Sequence, residues 1–157
     1  MPETPQLNVR PVPVAEALAA VATAPHGLLA LGIPGCAACM LLPPSLDELG
    51  RARPDLAIAM GEFAGPADWM ERERLLWPRG VHVSRSSMPT LTLLADGEAI
   101  ASRPGGGPAM QIDAWLEAHL GPAPNPPGDQ PTAAETAALG DLSARIGRQA
   151  YVKGRAG

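Results

Sequence analysis

The sequence predicts an α/β protein, a sheet with helices on both faces, and three observations carry that expectation. Helix-like and strand-like stretches alternate up to about residue 120. The alternation ends in a hairpin followed by one closing helix, an order that builds a layered core. Hydrophobic residues form 46% of the chain and charged residues 18%, a balance suited to a globular protein rather than a disordered one. With aromatic residues at only 3%, that core must come from Leu, Val, Ile, Ala and Met.

The elements follow in chain order. "LNVRPV" (7–12) fits a short strand and "VAEALAAVA" (14–22) a helix. "GLLALGI" (27–33) is a continuous apolar run, the mark of a buried strand. A helix is expected to start at the cysteines and run to about Arg53, ended by Pro54. "LAIAMGEF" (56–63) is the next strand. "PADWMERERLLW" (66–77) reads as a helix with Trp69, Met70 and Leu76 on its apolar side. "MPTLTLLADGEAIASR" (88–103) is the clearest hairpin, because Asp96-Gly97 readily takes the positive φ angles of a tight turn. "GGGPAMQIDAWLEAHL" (105–120) closes the domain as a helix. Pro108 suits its first helical position, and Ile112, Trp115, Leu116 and Leu120 make one stripe.

After Gly121 the character changes. "GPAPNPPGDQP" (121–131) holds five prolines and reads as an extended linker. "TAAETAALGDLSARIGRQ" (132–149) opens with Thr132 and Glu135 in capping-box spacing and predicts a short helix with a thin stripe of Leu139, Leu142 and Ile146. The expected organisation is therefore a domain over 1–120, a Pro-rich linker over 121–131, and a C-terminal helix with a basic tail over 132–157.

A net charge of −4 gives no general reason to expect nucleic acid or an anionic membrane as partner. No apolar run approaches the ~20 residues needed to span a bilayer. "VAEALAAVATA" (14–24) ends in small residues, but Glu16 and the upstream prolines interrupt it, so an amphipathic helix is expected rather than a cleaved leader. The expected compartment is the cytoplasm, where a structural disulfide would not persist.

The chemistry concentrates in "LGIPGCAACMLLPP" (31–44), which holds both cysteines, Cys36 and Cys39. They could be a redox couple, two ligands of a metal, or two small packed side chains. A disulfide between them closes a very short loop and removes little entropy from the unfolded chain, so a stabilising role is a poor explanation. If a helix begins at Cys36, its unpaired N–H groups and dipole favour a thiolate there and lower the thiol pKa from about 8.5 toward neutrality. Cys39 is more sheltered and can reach the first sulfur, so Cys36 would attack a partner disulfide and Cys39 would resolve the mixed disulfide. A structural zinc wants four ligands, and no second CxxC or paired-His motif exists. Of His26, His82 and His119, only His82 is a possible third ligand; the bland reading for all three is a solvated or hydrogen-bonded side chain.

With these features in register, the chain resembles the thioredoxin-like family over about residues 5–120, as an atypical thioredoxin with a CAAC active-site motif. Gly35-Cys36-Ala37-Ala38-Cys39 follows a buried strand and opens a helix. Pro44 falls five residues after Cys39, where the family has its helix-kinking proline. "MPTLTLLADGE" looks like the family's cis-proline strand and hairpin, with Pro89 as the cis-proline, and the glycines at 105–107 precede the last helix at the family's spacing.

The resemblance implies a thioredoxin-like fold: a central mixed sheet flanked by helices, with the Pro-rich linker and short helix appended. It implies that Cys36 is the nucleophile and Cys39 the resolving thiol. Ile33, Pro34, Gly35, Met88, Pro89, Gly105 and Gly106 would form the apolar, low-relief surface that binds substrate. The Met88 backbone would pair with an extended client segment as a short added strand. Protein thiol/disulfide clients and an electron donor such as a reductase follow as partners. No bound cofactor or metal is implied beyond the redox-active Cys36–Cys39 disulfide, and the C-terminal helix is a possible site for a further partner.

The departures matter as much. Gly35 stands where thioredoxins usually carry Trp, and Ala37-Ala38 where they carry Gly-Pro. Ala30 takes the place of the family's buried Asp and Met60 that of its partner Lys. Losing both together is physically consistent, since either charge alone in the core would be costly. No obvious buried base then serves Cys39, and Glu62 or His82 acting through water is the expected substitute. About three extra residues around "GVHVSRSS" (80–87) would reshape the partner-binding rim. The reading is a thiol-disulfide oxidoreductase acting on protein disulfides. Its alternative is a binding or assembly module, chaperone-like or metal-delivering, that keeps the fold and uses its surface.

Overall fold

The computed structural model describes residues 8–129, and the helix expected over 132–149 lies outside them with the basic tail. Along the chain run β1 (Pro11–Pro13), α1 (Val14–Ala22), β2 (His26–Gly32), α2 (Ala37–Met40), α3 (Leu42–Ala52) and β3 (Ala57–Glu62). Then follow α4 (Pro66–Leu75), β4 (Thr90–Ala95), β5 (Glu98–Pro104) and α5 (Ala109–Leu120). The strands pair in the order β1-β3-β2-β4-β5. β1 and β2 run parallel to β3, while β4 is antiparallel to both β2 and β5. The sheet is mixed, with helices on both faces, as the sequence led one to expect.

Period-two alternation explains why β2 reads as one continuous apolar run. Leu29 and Leu31 point into a core with Val14, Ala17, Leu18 and Val21 of α1. Leu28 and Ala30 point the other way, against Leu42, Leu46 and Leu49 of α3 and Ile112 and Leu116 of α5. The hairpin turns at Asp96 and Gly97, with φ of 50° and 84°, the conformation their identity favours.

Four expectations are revised. β1 begins only at Pro11, since prolines at 11 and 13 remove ladder donors and suit a short strand at the sheet edge. The single helix expected from the cysteines to Arg53 is two helices. Pro43 and Pro44 lack the N–H groups that would bond to the carbonyls of Cys39 and Met40, so the ladder breaks at Leu41. Met70 is 79% exposed, because it sits about 100° around α4 from the buried Trp69. Pro108 precedes the first helical residue, with an extended ψ of 153°.

Arg53, legible in the sequence only as a helix end, is a buried tie. Its Nε donates to Asp113 Oδ1 of α5 at 2.6 Å, and its Nη2 donates to the Gly121 carbonyl at 2.8 Å. The proline-rich segment is docked over its described part. The backbone N–H of Asn125 donates to the Ala52 carbonyl at 3.1 Å, and its Nδ2 donates to the Arg51 carbonyl at 3.1 Å. Replacing Asp113 with Asn leaves the buried guanidinium without its charged acceptor. The expected loss is about 2 kcal/mol, read as a lowered urea midpoint at unchanged slope.

Candidate functional site

The site forms where β2 leaves the sheet. The chain turns through Ile33, Pro34 and Gly35, whose φ of +77° lies in the left-handed region that glycine adopts without penalty. That turn delivers Cys36 to the N-cap of α2. Its Sγ accepts the N–H of Cys39 at 3.1 Å, and its carbonyl accepts the N–H of Met40 at 3.1 Å. Because α2 is only four residues long and separate from α3, this single directed N–H takes over the role the sequence assigned to a full helix dipole.

Cys36 and Cys39 are joined as a disulfide, with Cα atoms 5.2 Å apart. Their surroundings differ. Cys36 is half-buried at the rim, whereas Cys39 is 2% exposed. The residue that lets Cys39 sink this far is Gly32, which the sequence reading missed. A Cβ at Gly32 would lie 2.9 Å from Cys39 Sγ. The available signal was a glycine ending a strand, which often marks a close approach.

Strand register defines what faces the buried sulfur. Leu28 pairs with Ile58, Ala30 with Met60, and Gly32 with Glu62. Ala30 and Met60 are buried and pack in the same cluster as Cys39, so the two positions where the family carries its charged pair are direct neighbours here. The next row on that face is Gly32–Glu62. Parallel strands lie about 4.8 Å apart, so the partly exposed Glu62 starts within a side chain's reach of the sulfur that Gly32 touches.

His82 is not brought to the site. It is exposed, 5.7 Å from the Trp77 ring, between Val81 and Val83, which are buried in the core under α1. It is therefore placed neither to serve Cys39 nor to join the cysteines as a ligand. Among the described residues no group of three His, Cys, Asp or Glu side chains is placed to hold a metal ion.

The opposite wall comes from the β4–β5 hairpin. The Met88–Pro89 peptide is cis, and the Pro89 carbonyl accepts the N–H of Gly105 at 2.6 Å. Gly106 lies against α3: a Cβ there would fall 2.8 Å from Leu42 Cδ2, next to the cysteine turn. Gly105 has open space around it. Met88 is half-buried and packs against both cores, including the cluster that holds the two cysteines. Ile33 is half-buried, and Pro34 and Gly35 are exposed. Two further apolar residues, Met40 and Leu41, stand 72% and 73% exposed beside the disulfide, turned outward by the break between α2 and α3.

No family model and no curated protein matches the sequence. Solved structures do match. Thioredoxin f2 of Chlamydomonas reinhardtii is similar with a TM-score of 0.55 at 15% identity, covering 73% of this chain and 99% of that one. A mutant thioredoxin from Halobacterium salinarum gives 0.50 at 23% identity, covering 69% and 89%. A complex of ferredoxin:thioredoxin reductase with thioredoxin f2 gives 0.53 at 19% identity, covering 70% and 93%. Identities this low speak for fold, and the sheet order and the cysteine pair agree with them: the chain is a thioredoxin-like protein by fold.

Proposed function

We propose that the chain is a thiol-disulfide oxidoreductase that exchanges its Cys36–Cys39 pair with protein disulfides. The observation carrying this reading is the asymmetry of the pair: Cys36 at the rim with a directed N–H, Cys39 sealed behind it. In the reduced protein, the Cys36 thiolate attacks one sulfur of a client disulfide and expels the other as a thiolate. Cys39, losing its proton, attacks Cys36 Sγ. The bond from Cys36 to the client breaks, the second client thiolate leaves, and two electrons have passed from the dithiol to the client.

Ala30 and Met60 offer that proton no acceptor, and Glu62 is the carboxylate that takes it. Ile33, Pro34 and Met88 form the client platform, beside the open backbone of Gly105. The cytoplasm is the proposed setting. A dithiol donor such as a reductase restores the reduced state, by analogy with the complex of ferredoxin:thioredoxin reductase and thioredoxin f2, one chain of which this protein resembles in fold.

Dithiothreitol-driven insulin reduction, followed as turbidity, tests the reading. The wild type is expected to accelerate it, and a rate no higher than dithiothreitol alone would sink the proposal. In the same assay, Glu62→Gln is expected to slow the resolving step by up to about a hundredfold, with mixed disulfide accumulating. An unchanged rate would mean that solvent takes the proton.

A further inference from the structure

Beyond the cysteines, a second constellation sits on the same rim. Phe63 stacks on Trp69 with centroids 4.0 Å apart and 13° between planes, so one face of the indole is covered. Two guanidinium groups crowd what remains: Arg72 Cζ lies 5.4 Å and Arg85 Cζ 4.9 Å from the Trp69 centroid. Arg53, Arg74, Arg79 and Arg103 each donate to a carboxylate or a carbonyl. The guanidinium groups of Arg72 and Arg85 form no hydrogen bond or ion pair among the described residues, and Arg72 Nε is buried without a partner. Cation–π contact accounts for one cation on an indole; two like charges sharing it without a counter-charge repel each other.

Their position gives the pair a purpose. The Phe63 N–H donates to the Gly32 carbonyl at 3.0 Å, so the aromatic stack begins one residue beyond the row that faces Cys39. Arg85 opens a single 3-10 turn, Arg85–Ser87, directly ahead of Met88 and Pro89. That turn is held on several sides. Ser84 N–H donates to Ser87 Oγ at 3.1 Å, Ser87 Oγ donates to the Ser84 carbonyl at 2.8 Å, and Thr90 Oγ1 donates to the Ser87 carbonyl at 2.6 Å. It lies in the stretch 80–87, where the sequence carries residues beyond the thioredoxin pattern. Ile33 and Met88, the client platform, pack against the cluster that contains Phe63 and Trp69.

We propose that Arg72 and Arg85, braced on Trp69, form a subsite for an acidic side chain in the client segment next to its disulfide. Planar guanidinium groups match a carboxylate by paired N–H donors. The inference extends the oxidoreductase reading to its substrate class: clients whose disulfide is flanked by Glu or Asp. Such a subsite also steers encounter, so its contribution falls as salt rises.

The test uses binding, which does not depend on redox turnover. The probe is an extended peptide with the client cysteines replaced by serine and glutamates on one flank, titrated into the oxidised full chain with tryptophan fluorescence as the signal. It is expected to bind at least tenfold tighter than the same peptide with glutamines, and the difference should collapse in Arg72→Gln/Arg85→Gln and in high salt. Equal binding of the two peptides, or a preference that survives both substitutions, overturns the proposal. A phosphoserine peptide that binds far tighter than the glutamate peptide overturns the carboxylate assignment in favour of phosphate. Failure of insulin reduction alongside a retained glutamate preference removes the oxidoreductase reading and leaves the subsite standing.

Discussion

Cys36→Ser is expected to bring disulfide turnover to the level of the dithiol donor alone, whereas Cys39→Ser leaves the first attack intact and turns the protein into a trap. The difference rests on access. Cys36 is half-buried at a turn bounded by exposed Pro34 and Gly35, and its sulfur receives the Cys39 N–H at 3.1 Å, a bond that strengthens when the sulfur carries charge. Cys39 is 2% exposed and rests on the backbone of Gly32, so no client sulfur can approach it in line. A serine at 36 therefore leaves the remaining thiol without a route to the client. A serine at 39 removes the intramolecular attack that frees the mixed disulfide, and the adduct persists until external dithiol cleaves it. Intact-mass measurement after mixing each reduced variant with a disulfide peptide reads this directly. The Cys39→Ser protein should carry one peptide, lost on dithiothreitol treatment, and the Cys36→Ser protein none. Adduct on the Cys36→Ser protein would reverse the assigned roles.

What the sequence made legible is what local pattern controls. The unbroken run of β2, the Asp96-Gly97 turn and the two cysteines at a strand-to-helix junction each depend on residues within a few positions of one another. The pairing of Ala30 with Met60 was legible for another reason: in a parallel sheet of recognisable order, family positions fix the register. What escaped depends on distance along the chain. Arg53 and Asp113 meet only because α3 and α5 lie on one face of the sheet, and nothing local to either marks the tie. The docking of 121–129 was hidden by its prolines, which report the absence of helix but not where the segment lies. The arginines on Trp69 come from α4 and from the stretch before Pro89, two places that composition alone keeps apart. Even the break at Leu41 was half-legible: the prolines announced a disturbance, and only their two missing donors together make it a full interruption.

Restoring the charged pair one residue at a time is expected to be severely destabilising, and restoring both to recover much of the loss. Met60 is 1% exposed and Ala30 is fully buried, so Met60→Lys or Ala30→Asp alone places an uncompensated charge in an apolar cluster. Each should cost about 3–5 kcal/mol. With a urea slope of about 1–3 kcal/mol/M, that lowers the midpoint by roughly 1–5 M. The two singles should carry opposite pH signatures. Burial disfavours the ammonium, so the unfolded Met60→Lys chain binds more protons and its deficit shrinks as pH rises. The Ala30→Asp chain binds more protons when folded, so its deficit shrinks as pH falls. In the double variant, register places the new charges on adjacent strands and one face, so the stability loss should fall well short of the sum of the singles. A loss equal to the sum would mean that positions 30 and 60 do not meet. The same double variant bears on chemistry, because it puts a buried carboxylate in the cluster that holds Cys39. Resolution of the mixed disulfide should then become insensitive to Glu62→Gln. If sensitivity to Glu62→Gln persists undiminished in the folded double variant, the restored pair does not reach Cys39, and the carboxylate at the end of β3 serves that thiol alone.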